Sequence, residues 1–351
     1  MEGAILMTFK EKIRAMLNLN RKEEIQMTAK EKVLAMLSGE QPVSVINGWE
    51  AFEFMMNPVT LAVSPLWPGH TVQDAWGVHM SWPEGQPGAM PLEGDKVVCP
   101  DIENWKEVLH KPDVASMSFD WGPFLGQQEA ARAQGKLSLT MVPVGNFELL
   151  RNLMGFENCL MNLLEEPEMI QEIVDMIVDY RMECFEQICE NLHPDILFIH
   201  DDWGSKKSMF MSPDTWREIF KPGYKKLFGY LHDQGVIVMH HADSYLEPII
   251  ADMEEIGIDI WQGVLPQNDI VKIQSQLKHM ILFGGIDAAK TDHPTATEEE
   301  VRAEVRHVCE TYIPGGHFIP TITAGGPTSI NAHIDPIITD EIDRFSKEFS
   351  A

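Results

Sequence analysis

Two residues able to bind a metal, His241 and Asp243, stand two apart just after an apolar segment that the sequence predicts as a strand. At a strand end both side chains can turn toward one point, and imidazole with carboxylate is a ligand pair that suits Zn²⁺. The same spacing also fits a buried histidine that is hydrogen-bonded to a carboxylate, so both interpretations stay open. We predict His241 and Asp243 as metal ligands and His241 also as a catalytic residue.

A second acidic pair, Asp201 and Asp202, follows the preceding predicted strand. Neighbouring carboxylates repel each other unless a cation or a shared proton offsets their charge. On a barrel rim the pair would lie beside His241, which strengthens the expectation of a metal or a catalytic acid there. We therefore predict Asp201, Asp202 and His241 as the catalytic residues, whereas His200 could instead be a core-facing partner.

Weaker candidates for substrate binding follow other predicted strands or border the acidic pair. They are Trp49, Glu50, Phe147, Glu148, Trp203 and Asp287. Tryptophans are also frequent before the second well-defined strand, at Trp49, Trp67, Trp76, Trp82 and Trp121. Core packing is the default role for each, but this many in and around one insert predict an aromatic-lined pocket.

The elements that must position these residues alternate between short apolar segments and longer helical ones. Strands are predicted at residues 43–47, 138–142, 195–200, 236–240, 258–261, 280–283 and 317–321, and helices at 167–189, 213–233, 245–256, 270–278, 297–311 and 330–349. Strands that are apolar throughout are typical of a buried parallel sheet, and about eight such units predict closure. The predicted fold class is α/β, a (β/α)₈ TIM barrel, with its active site at the C-terminal ends of the strands.

The domain organisation follows from this pattern. Residues 39–351 are predicted as a single catalytic barrel domain, in which residues 57–94 form a long irregular insert typical of a lid. Residues 1–38 are predicted as an N-terminal helical extension, because residues 7–17 are echoed at 27–37 and each copy opens with a capping-box pattern. The extension would pack on the barrel or pair two chains into a homodimer.

The composition excludes several classes of function. A formal net charge of −27 argues against nucleic-acid binding, because phosphate contacts require clustered Lys and Arg. No apolar run reaches the roughly 18 residues of a membrane-spanning helix, and the charged N-terminus does not resemble a secretory signal. The 5 cysteines are scattered and form no CxxC pair, which favours reduced thiols in a cytoplasmic protein.

Several segments resemble the uroporphyrinogen decarboxylase-like superfamily. They include Asp201-Asp202-Trp203-Gly204, residues 211–216, residues 220–227, residues 232–241, Gly284-Gly285-Ile286-Asp287 and residues 297–302, with residues 147–151 and 154–157 in support. The similarity runs from about residue 27 to the C-terminus, in the order and spacing of the superfamily. It implies an enzyme with a barrel fold.

The resemblance also bears on the substrate. The decarboxylase itself carries an N-terminal arginine-rich motif that binds a tetrapyrrole with many carboxylates, and the corresponding residues 42–58 contain no Arg or Lys. Uroporphyrinogen is therefore not the expected substrate. The remaining branch contains corrinoid-dependent methyltransferases, which either methylate coenzyme M or demethylate methoxylated aromatics.

A zinc motif separates those two groups of methyltransferases. The coenzyme M enzymes have His-x-Cys where this chain has His241-Ala242-Asp243, and their later Cys falls near residues 321–323, which are Thr-Ile-Thr here. Without thiolates the site suits an ether oxygen better than sulfur. The resemblance thus implies an aryl methyl ether O-demethylase with zinc, which passes a methyl group from a methoxylated aromatic to the Co(I) corrinoid of a partner protein.

Three alternatives stay open. One is a corrinoid:thiol methyltransferase of the coenzyme M type, and another is a cofactor-free decarboxylase with Asp202 as general acid. The third is a binding protein that has lost catalysis, although nothing structural requires two carboxylates and two histidines at adjacent strand ends.

Overall fold

A computed structural model describes residues 27–40, 45–86, 88–324 and 327–349. The strands are β1 (Phe52–Met55), β2 (His70–Gln73), β3 (His79–Trp82), β4 (Met90–Pro91), β5 (Leu137–Val142), β6 (Ile196–His200), β7 (Ile237–His241), β8 (Ile260–Val264), β9 (Ile281–Ile286) and β10 (Phe318–Ile322). Seven of them form a parallel sheet in the order β1-β5-β6-β7-β8-β9-β10, and β2-β3-β4 form a separate antiparallel sheet.

Helices follow the strands of the parallel sheet and cover its outer face. They are α1 (Ala29–Ser38), α2 (Pro58–Val63), α3 (Trp105–Val108), α4 (Gly122–Ala133), α5 (Asn146–Met154), α6 (Phe156–Glu165), α7 (Pro167–Leu192), α8 (Pro213–Ile219), α9 (Lys221–Asp233), α10 (Ile250–Glu255), α11 (Ile270–Gln276), α12 (Ala288–Thr291), α13 (Glu298–Tyr312) and α14 (Asp335–Phe349). The other face of the sheet encloses the apolar interior of the barrel. Because both faces are covered, strands such as β7 and β8 are buried at every position. The predicted α/β barrel class is confirmed.

The first strand differs from the prediction. Of the expected strand at 43–47, residues 43 and 44 lie outside the described residues, and residues 45–47 are not a strand. A 3₁₀ turn, Gly48–Ala51, follows and contacts both β1 and β10, which are the two edges of the sheet. Gly48 has a φ of +53°, which favours glycine, and its backbone lies against Pro320 of β10. Packing of this turn therefore fills the space between the two edge strands.

Helix α1 closes the N-terminal end of the barrel interior. Its residues Val33, Leu34, Met36 and Leu37 share one apolar cluster with the inward side chains at the starts of the strands, such as Ile196. The predicted capping box is present, since the Thr28 N–H donates to Glu31 Oε2 at 2.8 Å and Glu31 N–H to Thr28 Oγ1 at 3.3 Å. The first copy of the repeat lies outside the described residues. The described part of the extension belongs to the barrel core.

The insert at 57–94 is more regular than expected. It contains α2 and the antiparallel sheet of β2, β3 and β4, in which His70 pairs with Trp82. Within it, Asp74 Oδ1 accepts hydrogen bonds of 2.9 Å from the N–H groups of Trp76 and Val78 and so fixes the turn between β2 and β3. The insert therefore holds a defined shape against the barrel.

Smaller differences also have physical causes. The single helix expected at 213–233 is divided into α8 and α9 near Phe220, because Pro222 has no N–H to donate. The last helix begins at Asp335 and not at residue 330. All five cysteines are buried and unpaired in the described chain, as predicted. Over the same residues no helix is long and apolar enough to cross a membrane.

Candidate active site at the barrel mouth

Two imidazoles stand side by side at the C-terminal ends of β6 and β7. Side chains alternate along a strand, so His200 points inward like Phe198, and His241 points inward like Met239. His200 and His241 are register partners, and their ring centroids are 4.4 Å apart in a stacked arrangement. The last inward position of each strand therefore presents an imidazole to the mouth of the barrel.

Asp202 completes a group of three potential metal ligands with His200 and His241. One ligand atom from each side chain lies within 4.8 Å of the others. The Nδ1 atom of His200 is 2.9 Å from Glu148 Oε2, and that of His241 is hydrogen-bonded to Gln262 Oε1. Both rings consequently keep Nε2 for a ligand, the arrangement in which carboxylates or amides orient metal-binding histidines.

Asp243, the other predicted metal ligand, is near this group but outside it. Strand β7 ends at His241, so the alternation on which the spacing argument relied does not continue to residue 243. Instead the Asp243 N–H donates to Asp202 Oδ1 at 2.9 Å and holds that carboxylate in place. Burial, and then the neighbouring Asp202, raise the pKa of the Asp243 carboxyl to about 7.

The two histidines have opposite pKa shifts. Burial, followed by the charge of His200, lowers the pKa of His241 to about 4, so His241 is neutral and has a free lone pair at pH 7. Burial also acts to lower the pKa of His200, but the charge and hydrogen bond of Glu148, together with Asp202 and Asp243, outweigh it and raise that pKa to about 10. His200 is therefore a cation at pH 7.

Asp201 points away from the opening, into the wall between β6 and the helices. It is fully buried and accepts hydrogen bonds from the N–H groups of Phe147 (3.1 Å) and Glu148 (2.9 Å) in the first turn of α5, and from Tyr224 Oη. Burial, and then Glu148, raise its pKa to about 6. The expected catalytic role is therefore corrected, because Asp201 anchors the start of α5 behind the site.

The model of the uroporphyrinogen decarboxylase (URO-D) family matches residues 71–331. The chain belongs to this family. A methyltransferase from Methanosarcina mazei has a similar structure, with a TM-score of 0.66 and 14% identity over 93% of this chain and 100% of that one. At this identity the likeness shows a shared fold.

Two other solved structures are less similar to this chain. An endo-β-1,4-mannanase double mutant from Cellulomonas fimi covers 90% of this URO-D family chain and 74% of its own length, with 10% identity and a TM-score of 0.41. A chitinase from Rhizomucor miehei covers 64% and 88%, with 12% identity and a TM-score of 0.34. No curated protein matches this sequence significantly.

Two predicted substrate contacts of this URO-D family member are wrong, because their side chains are fully buried. Trp203 donates from Nε1 to Asp201 at 3.1 Å, and its ring packs 4.2 Å from that of His240. Phe147 packs against Phe210, with ring centroids 6.0 Å apart. Neither side chain has surface left for a substrate, so both belong to the wall that supports Asp201.

The remaining predicted contacts lie in different places. Glu148 is buried behind His200, with its other oxygen 3.0 Å from Arg151. Asp287 caps α12 by accepting the Ala289 N–H at 3.0 Å, and Glu50 accepts the Asn47 N–H at 2.7 Å. The ring of Trp49 lies in the barrel interior, 6.1 Å from Phe198, which in turn contacts His241. Trp49 is thus connected to His241 through Phe198, inside the barrel.

The five tryptophans expected to form one pocket are dispersed. Trp49 lies inside the barrel, while Trp76 is buried against Tyr180 of α7. Trp67 is half exposed, and Trp82 donates to Gln86 O within the insert. Trp121 precedes α4 and contacts Phe119.

Gln262 was not among the predicted site residues, and His200 was predicted only as a possible core-facing partner. Gln262 is a polar residue inside the otherwise apolar β8, and a buried amide requires a partner, which is a signal that the sequence does carry. For His200 the signal is the two-residue alternation from Ile196 through Phe198. Glu148 and Arg151 come from a helix about fifty residues earlier, and their place behind His200 follows from the fold alone.

Proposed function

We propose that this enzyme transfers a methyl group from a methoxylated aromatic compound to the Co(I) corrinoid of a partner protein. The observation that carries the proposal is the convergence of His200, Asp202 and His241 at the barrel mouth. The Nδ1 atoms of the two histidines contact Glu148 and Gln262, so that each Nε2 is left for a ligand. Family membership and the shared fold with a methyltransferase support it. Because nitrogen and oxygen are the only donors in this group, the site favours an oxygen leaving group.

The donor set fits zinc. Two imidazoles and one carboxylate are a common set of three protein ligands in catalytic zinc sites, which leave a position open for substrate. His241 is neutral at pH 7 and can ligate without losing a proton, whereas His200 must first lose one. We therefore propose His200, Asp202 and His241 as the ligands, with Asp243 holding Asp202 through its backbone.

The residues behind and beneath the proposed ligands then have separate roles in the reaction. Cleaving the aryl ether leaves the bonding electron pair on the phenolic oxygen, so a positive centre must lie beside that oxygen. Zinc would supply this centre as a Lewis acid. Glu148 and Gln262 fix the ring orientations of His200 and His241, and Trp49 closes the interior beneath them. The methyl group leaves toward the corrinoid, which the partner protein presents at the open mouth.

The proposal is tested by mixing the zinc-loaded enzyme with a reduced corrinoid protein and a series of methoxylated benzenes and benzoates. The expected result is formation of the methylated corrinoid, seen by absorbance, with stoichiometric release of the phenol. His241→Ala should lower the rate at least about a hundredfold, while Lys207→Ala, an exposed cation near the same face, should leave it unchanged. No methylation with any donor, or equal rates in both variants, would contradict the proposal.

A cofactor-free decarboxylase is the second candidate. The specific observation in its favour is that Glu148 keeps His200 protonated without any metal, which gives the mouth a cation and a proton donor. Release of CO₂ from a carboxylated aromatic in the presence of a chelator would support it against methyl transfer. A thiol methyl acceptor is less well supported, because no cysteine of the described chain belongs to the ligand group.

A further inference from the structure

Helix α5 presents one partly exposed side chain, Arg151, on the side of the barrel mouth. All the other residues of this helix, which lies wholly within the described chain, are buried, whereas 30% of the Arg151 side chain is exposed. Arg151 follows Glu148 by three positions, so the two side chains share one face of the helix. Glu148 contacts His200, whose side chain points into the mouth, and the shared face is therefore directed toward the mouth.

The guanidinium of Arg151 is only partly neutralised by the protein. Its Nη2 atom donates to Glu148 Oε1 at 3.0 Å, while Nε has no hydrogen-bond partner among the described residues. The other oxygen of Glu148 lies 2.9 Å from His200 Nδ1, so one carboxylate serves two partners. A guanidinium has five N–H donors and a permanent charge, and within the described chain this ion pair is the one that Arg151 forms. Arg151 therefore keeps charge and donors for a bound molecule.

The separation between Arg151 and His200 suits a single aromatic ring. The two contacts through Glu148, of 2.9 and 3.0 Å, place the guanidinium at most about 8 Å from the imidazole. This span is comparable with a benzene ring that carries polar substituents at opposite positions. Substituents on neighbouring ring carbons lie too close together to reach both groups. One end of a ring can therefore lie at His200 while the other end meets Arg151.

We propose that Arg151 binds a carboxylate on the methoxylated aromatic donor and so selects methoxylated aromatic acids over uncharged methoxylated rings. This inference rests on the proposed function, because it requires the aromatic donor to bind at the mouth. Hydrogen bonds between a guanidinium and a carboxylate are charge-assisted and roughly twice as strong as those between neutral groups. In the reverse orientation the carboxylate would lie beside Asp202, which would repel it. The carboxylate thus also directs the ether oxygen toward the ligand group.

Lys206 is a second cation near the mouth and the main rival of Arg151. Its charge acts to lower the pKa of the Asp243 carboxyl, which places it near the ligand group. The Lys206 side chain is exposed, however, and an exposed ion pair contributes little because water screens it. The partly buried Arg151, which an ion pair already holds in place, is the better carboxylate partner.

The test is isothermal titration of the zinc-loaded protein, without a corrinoid protein, so that binding is measured and no methyl group is transferred. The ligands are 4-methoxybenzoate, its uncharged counterpart 4-methoxybenzamide, and 2-methoxybenzoate, in which the two groups are neighbours. We expect 4-methoxybenzoate to bind at least about tenfold more tightly than either of the others. Arg151→Met should remove this preference and leave the affinity for 4-methoxybenzamide unchanged, and Arg151→Lys should keep part of it. Arg132→Met is the matched control, because Arg132 is an exposed arginine that bonds the carbonyl oxygen of His193, before the start of β6.

Several results would overturn the role of Arg151. They are the absence of any preference for 4-methoxybenzoate in the unmodified protein, a preference that Arg151→Met keeps, and a preference that Lys206→Met loses while Arg151→Met keeps it. If Arg151→Met weakened the binding of acid and amide equally, Arg151 would act through Glu148 on the ring of His200 and would not bind the carboxylate.

The binding assay also separates this inference from the proposed function. A preference for the acid that depends on Arg151, without methyl transfer to any corrinoid, would support the carboxylate site and contradict the methyltransferase. Methyl transfer at equal rates from 4-methoxybenzoate and 4-methoxybenzamide would support the methyltransferase and contradict the role of Arg151.

Discussion

Replacing Glu148 by Gln should remove most of the pH dependence that His200 gives to the stability of the metal-free protein. Glu148 Oε2 lies 2.9 Å from His200 Nδ1, and the pKa of His200 is raised from its ordinary 6.5 to about 10. Because the folded-state pKa is raised, the stabilisation is fully present below about pH 6.5 and is lost as pH rises through 10. Each pH unit in this window changes the free energy of unfolding by about 1.4 kcal/mol.

From about pH 7 to pH 9 the unmodified protein should therefore lose roughly 2–3 kcal/mol of stability through His200. In Glu148→Gln the ring keeps a hydrogen-bonding neighbour but no adjacent charge, and burial then favours the neutral form. The loss over the same range should fall below about 1 kcal/mol. Urea denaturation in the presence of a chelator, followed by tryptophan fluorescence, measures both values.

The control for this experiment is Glu53→Gln. Glu53 pairs with Lys136 at 3.1 Å on the outside of the barrel, far from the histidines in the fold. This variant should keep the full pH dependence of the unmodified protein. If Glu148→Gln lost as much stability between the two pH values as the unmodified protein, Glu148 would not be the group that keeps His200 protonated.

Three further changes test how the site is supported. Gly145→Ala should destabilise the protein by more than about 2 kcal/mol in urea denaturation, since a Cβ there would lie 2.2 Å from the Asp201 side chain, whereas Gly126→Ala has free space and should be tolerated. Tyr224→Phe removes a hydrogen bond to Asp201 and should cost about 1–2 kcal/mol in the same assay. Gln262→Leu should weaken zinc binding about 10- to 100-fold in a competitive chelator titration, because His241 Nδ1 loses its partner.

Each of these results has a contrary outcome. Equal stability of the two alanine variants would mean that Asp201 does not pack against the glycine at 145. Tyr230→Phe removes a less buried hydroxyl and should lower the free energy of unfolding by less than Tyr224→Phe does. If both variants lowered it equally, the hydrogen bond from Tyr224 to Asp201 would not contribute to stability. Zinc affinity unchanged by Gln262→Leu, as expected for the exposed Gln267→Leu, would show that the amide does not orient His241.

The barrel could be predicted from the sequence because buried parallel strands leave a plain pattern. Segments such as Ile196–His200 are apolar on both faces, so their positions could be found to within a few residues. Strand β8 was placed too early, because Gln262 and Gly263 interrupt its apolar run. The first strand could not be found, because its place at the edge depends on the packing of Gly48 against β10.

The site could be predicted only in part. The chain positions of Asp202 and His241 at adjacent strand ends were sufficient to expect a metal or acid site. The difference between Asp201 and Asp202 could not be predicted from alternation, because β6 ends at His200; the structure shows that Asp201 is buried in the wall and that Asp202 belongs to the ligand group. The partners behind the rings, Glu148 and Gln262, are far away in sequence, so their roles depend on register and on the start of α5.

X-ray absorption spectroscopy of the zinc-loaded protein tests whether His200, Asp202 and His241 hold the metal. We expect two imidazoles and oxygen or nitrogen donors around the metal, without the sulfur shell near about 2.3 Å that thiolate ligands give. His200→Ala should remove one imidazole, because His200 belongs to the ligand group. A sulfur shell, or an imidazole count that His200→Ala leaves unchanged, would contradict this set of metal ligands.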